Sequence, residues 1–97
     1  DFLGTTALML AAYYDHSEVV RQLVCVDGVD VNKMSAFCSS ALTTAARRGH
    51  LDVVRWLLAT PSIDVHKPDA YGDTALVLAI RAGHSAIEDL LRARGAT

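Results

Sequence analysis

Three histidines stand 34 residues apart, His16, His50 and His84, and a recurring imidazole invites comparison with a zinc site. Zinc needs four donors converging at about 2.1 Å from one ion. No CxxC, HExxH or clustered carboxylates accompany these histidines. Residues at equal positions of stacked units lie about a helix diameter apart, about 10 Å, too far to share an ion. No metal ligand is therefore assigned. Cys25 and Cys38 could act as nucleophiles only with a nearby base and an orienting group, and the spacing supplies neither. No glycine-rich phosphate loop is present. The expectation is no catalytic residue, no cofactor and no enzymatic activity. A second kind of chemistry is better represented, that of recognition. Arg47 and Arg48 fall in the 34-residue register of Tyr13 and Tyr14, and Arg81 continues the row. Tyr and Arg are the side chains most enriched where proteins bind proteins.

The elements that must position these residues follow from the same period. Thr6-Ala7-Leu8 returns as Ser40-Ala41-Leu42 and as Thr74-Ala75-Leu76. Leu23 returns as Leu57 and Leu91, and Val19 as Val53 and Ile87. A fixed period of this size marks stacked supersecondary units, none able to bury its apolar face alone. The 97 residues are 52% hydrophobic and 21% charged, enough apolar surface for one small core. A net charge of −2 argues against a general nucleic-acid or anionic-membrane binder. No apolar run approaches the roughly 20 residues that span a bilayer. Two cysteines at different points of the repeat predict free thiols in a reducing compartment, hence an intracellular protein of cytoplasm or nucleus.

Each unit reads as turn, helix, short loop, helix, longer loop. Thr6, Ser40 and Thr74 are good N-caps, and they predict inner helices over Ala7–Tyr13, Ala41–Arg48 and Ala75–Ala82. Gly49 and Gly83 are left-handed stops, and Asp15 takes that place in the first unit. Outer helices follow at Glu18 to about Val26, with Ser17 as cap, at Leu51 to about Ala59, and at Ala86–Arg94. The junctions 32–40 and 66–74 read as protruding turns or short hairpins. The units are about 1–34, 35–68 and 69–97 of a single domain. The chain opens inside a repeat, which predicts a fragment of a longer protein.

Thr74-Ala75-Leu76-Val77-Leu78-Ala79, then Gly83-His84, then Ile87 to Leu91, match in order the Thr-Pro-Leu-His-x-Ala, Gly-His and Val-Val-x-x-Leu-Leu elements of ankyrin repeats. Gly49-His50-Leu51-Asp52-Val53-Val54-Arg55-Trp56-Leu57-Leu58 and Asp30-Val31-Asn32 complete the pattern, so the whole chain resembles that family. Tetratricopeptide repeats share the period but need an early Trp-Leu-Gly-Tyr pattern that is missing here. The resemblance implies an all-α solenoid of three stacked helix-turn-helix units. It also implies that the recurring His ties loops together by hydrogen bonds. The departures are Ala7, Ala41 and Ala75 for the family's Pro, Met9, Thr43 and Val77 for its His, and Cys38 at the place of Gly4 and Gly72.

In that family turn tips and the exposed ends of the inner helices line a concave groove. By resemblance Phe2, Tyr13, Tyr14, Phe37, Arg47, Arg48, Tyr71 and Arg81 are the candidate partner-binding residues. They predict a groove apolar at one end and cationic at the other, suited to a protein or peptide of acidic character. Trp56 falls on an outer helix, in core or convex surface. The competing reading is a structural spacer or regulatory domain that makes intramolecular contacts in a larger protein. Val20 and Val54 become Glu88, and Val24 and Leu58 become Arg92, as expected where no further unit stacks. The first unit's apolar face, by contrast, is free to self-associate.

Overall fold

Ser40 and Thr74 start their helices as the sequence predicts. Ser40 Oγ accepts from the Thr43 backbone N–H at 3.2 Å, and Thr43 Oγ1 accepts from the Ser40 N–H at 2.9 Å, a closed capping box. Thr74 accepts from the Val77 N–H. The computed structural model describes residues 2–26, 28–34 and 39–96, with side chains from Thr6 onward. Among them are six helices and no strand: α1 (Phe2–Tyr13), α2 (Ser17–Leu23), α3 (Ala41–Arg48), α4 (Leu51–Leu58), α5 (Ala75–Ala82) and α6 (Ser85–Ala93).

The predicted bounds of α3 and α5 hold to the residue. Gly49 and Gly83 stop them at φ 79 and 80, and Asp15 takes φ 61 after α1. The predicted start of α1 at Thr6 does not hold, because the helix runs back to Phe2. Ala7 permits this without dictating it, since α3 and α5 start at Ala41 and Ala75 behind their Ser40 and Thr74 caps. A Pro in place of Ala7 would lack an N–H and would clash with the carbonyl four residues earlier, whereas Ala lets the helix pass through. Ser17 is also not a cap. The N-cap positions of the outer helices belong to His16, His50 and His84, and none makes a side-chain capping bond. The outer helices end one to three residues early because their last turns tighten. Val26 N–H bonds to Leu23 O and Thr60 N–H to Leu57 O, both i→i−3.

The helices form two rows. α3 packs between α1 and α5, while α4 packs between α2 and α6. Leu8, Leu42 and Leu76 of the inner row meet Val20, Val53, Val54, Leu57, Ile87 and Leu91 of the outer row in one continuous core. The inner row is Ala-rich at its contacts: Ala11, Ala12, Ala45, Ala46, Ala75 and Ala79 are all buried. Small residues at these contacts let neighbouring helices approach closely.

The loops are tied across units. His50 Nδ1, just before α4, lies 2.8 Å from Ala12 O in the last turn of α1, so this histidine ties a loop to a helix end and not to another loop. Asn32 Nδ2 donates to Ser62 O at 2.8 Å, and Asn32 Oδ1 accepts from the Asp64 N–H at 2.7 Å. The second junction is a turn over 69–73, not a hairpin. Asp69 is buried, and its Oδ1 accepts from the N–H groups of Tyr71 and Asp73. The tip of the first junction, with Phe37 and Cys38, lies outside the described residues.

Candidate partner-binding face

The inner helices deliver their C-terminal ends to one side, and the candidate residues gather there in part. Tyr13 closes α1 and Tyr14 follows it. Their rings stand edge to face with centroids 4.8 Å apart, and both are exposed, Tyr14 at 61%. Arg48 in the last turn of α3 lays its guanidinium over the Tyr13 ring, 4.1 Å from the centroid. This is within cation–π range, and the register explains it, because Arg48 occupies Tyr14's place one unit later. Arg47 is exposed beside it.

The predicted division into an apolar and a cationic end is not how these groups are arranged. Ring and cation are stacked on each other at the boundary between α1 and α3. Arg81 is exposed on α5, but Asp73 holds it with two bonds, at 2.8 and 3.4 Å, so its charge is already answered. Arg21, Arg55 and Arg92 are likewise paired with Glu18, Asp52 and Glu88, and Arg94 donates to Thr60 O. Among the described residues, Arg47 and Arg48 are the arginines bound to neither a carboxylate nor a carbonyl.

Tyr71 stands at the tip of the 69–73 turn, 88% exposed, pushed outward by the Asp69 bonds beneath it. It is not part of the Tyr13–Tyr14–Arg48 cluster. Phe2 is the first residue of α1, and only its backbone is described. Phe37 lies outside the described residues. Two exposed apolar side chains of the inner helices, Leu10 and Ile80, join the candidate set. Sequence reading missed them because their positions in the other units hold buried Thr44 and Ala46. The Asp73–Arg81 pair was also missed, since the residues are eight apart on either side of a helix start.

The histidines do not converge. His50 bonds to Ala12 O, and the His84 ring packs over Gly49. Among the described residues no three His, Cys, Asp or Glu side chains are grouped to hold a metal ion. Cys25 is a free, exposed thiol. No helix there is long and apolar enough to cross a membrane. Trp56 is half-buried on α4 with the Arg21 guanidinium 5.7 Å from its ring, on the outer row as expected.

Comparison with known families agrees with the two-row stack of short helices. A family model described as ankyrin repeats (3 copies) matches residues 8–97. No curated protein matches the sequence.

Proposed function

The chain belongs to the ankyrin-repeat family, whose members are generally protein-interaction modules, and we propose that it serves as a non-catalytic module binding a protein partner on its inner-helix face. The observation that carries this reading is the Tyr13–Tyr14–Arg48 cluster with Arg47 beside it. It presents two exposed rings, a stacked guanidinium and a second arginine that bonds to no carboxylate or carbonyl among the described residues. Arginine in such a setting offers a planar fork to a carboxylate, and the rings supply rigid apolar contact. The Ala-rich contacts of this row support reading it as the concave side of the stack. The partner is a protein or peptide with an acidic residue seated between Arg47 and Arg48, and Tyr71 reaches it from the turn tip. Arg81 contributes less than Arg47, since a partner must displace Asp73 to use it.

A pool of synthetic acidic peptides presented to the 97-residue domain tests this reading, with alanine at Tyr14, Arg47 and Tyr71 together as the comparison. Removing three hot-spot side chains is expected to weaken a bound peptide at least ~10-fold. Unchanged affinity would overturn it.

A second reading, a spacer or regulatory domain making intramolecular contacts, has its own support. Val19 on α2 and Val26 just after it are large apolar side chains left exposed. Loss of activity in a parent protein on Val19→Asp, with peptide binding intact, would favour it.

A further inference from the structure

The outer row holds a feature that the inner-face reading does not use. Arg55, Leu58, Ala59, Leu90, Ala93 and Arg94 line an open groove of about 270 Å³ between the C-terminal ends of α4 and α6. The repeat register gives this groove an internal counterpart. Shifting back by 34 residues maps Leu90 onto Trp56, Arg55 onto Arg21, Leu58 onto Val24 and Ala59 onto Cys25. At that earlier boundary, between α2 and α4, an indole fills the position: Trp56 packs against the core and Arg21 lies over its ring at 5.7 Å. At the later boundary the smaller Leu90 leaves the place empty beneath Arg55.

We propose that the α4–α6 groove is a second recognition site, and that it takes one aromatic side chain of a partner protein, seated on Leu58, Ala59, Leu90 and Ala93 and covered by Arg55 as Arg21 covers Trp56. The volume lies just below the range typical of small-molecule pockets, so it suits a single side chain better than a metabolite. The rim fixes the rest of the chemistry. Arg55 and Arg94 bring two guanidinium groups, Asp52 answers one of them, and Arg94 spends one nitrogen on Thr60 O while keeping free donors. A carboxylate next to the aromatic anchor complements that surplus. The site is built from the outer row and shares no residue with Tyr13, Tyr14, Arg47 and Arg48, so its failure and that of the inner-face reading are separable.

The probe is N-acetyltryptophan, which carries both an indole and a free carboxylate, titrated into the ¹⁵N-labelled domain. Saturable amide shifts are expected at residues 55, 58, 59, 90, 93 and 94, at about 1 mM or tighter. N-acetylalanine should give none. Leu90→Trp fills the groove from within and should weaken the probe at least ~10-fold. Ala93→Leu narrows it from the solvent side and should do the same, which keeps the test decisive should Leu90→Trp not fold. Tyr71→Ala should leave the probe unaffected. Absence of saturation, shifts centred on Tyr13 and Arg48, or undiminished binding in a folded groove variant would each overturn the proposal.

Discussion

Gly49 ends α3 at φ +79, and the next unit's His84 packs its ring over the bare backbone. A Cβ here would lie 2.6 Å from His84 Cε1 and 2.8 Å from Nε2. Gly83 has the same φ, 80, but nothing within 4 Å of an added Cβ. The pair separates two effects that a single substitution would mix. Gly83→Ala meets the left-handed penalty alone, about 1 kcal/mol. Gly49→Ala meets that penalty and must also push the imidazole from its rotamer, bringing the total to about 1.5–2.5 kcal/mol. Urea unfolding of both variants reads the difference. Equal losses would mean that His84 moves aside freely. Asn32 ties a different pair of loops, those that follow α2 and α4, through Ser62 O and the Asp64 N–H. Asn32→Ala should cost about 1–2 kcal/mol by the same measurement. His66, at the equivalent place one period later, shows no such pair of bonds.

At the scale of helices, the contrast lies between capped and uncapped starts. Ser40 and Thr43 bond reciprocally while both are buried, whereas Thr74 makes one longer bond to Val77 at 3.4 Å. Ser40→Ala should therefore destabilise by about 1–2 kcal/mol, and Thr74→Ala by less, in thermal unfolding followed by circular dichroism. The same local chemistry explains what could be read beforehand. α3 and α5 were legible to the residue because a capping hydroxyl and a stop glycine bracket each of them. The start of α1 was not legible because Ala7 permits a helix to pass through, and α1 runs on to Phe2 where α3 and α5 stop at a capping hydroxyl. The outer helices were read too long because their apolar period continues through a last turn whose hydrogen bonds shift to i→i−3. The eight candidate residues could be proposed from register together with the family resemblance. The stacking of Arg48 on Tyr13 and the capture of Arg81 by Asp73 depend on side-chain directions that no spacing encodes.

Across the whole molecule, the three helix pairs share one core but not equal support. Val53 and Ile87 are 0% and 2% exposed, while their counterpart Val19 is 43% exposed. The first pair therefore has a face that the second and third bury against a preceding neighbour, and α2 is the shortest helix. At the other end α6 turns Glu88 and Arg92 outward as an ion pair at 3.0 Å, where Val54 and Leu58 are buried against α6 one unit earlier. A polar outer face of that kind needs no covering neighbour. A linear stack gains stability from each interface, so the middle pair, supported on both sides, should open last. Native-state hydrogen exchange on the 97-residue chain should give the lowest opening free energies in α1 and α2, intermediate values in α5 and α6, and the highest in α3 and α4. Val53→Ala, which removes buried methyl groups at the supported boundary, should lower protection in all three pairs. Val19→Ala should lower it in the first pair only, by less than about 1 kcal/mol. Identical protection throughout would mean that the short stack opens as one unit, and that the exposed face of the first pair carries no energetic consequence in this chain.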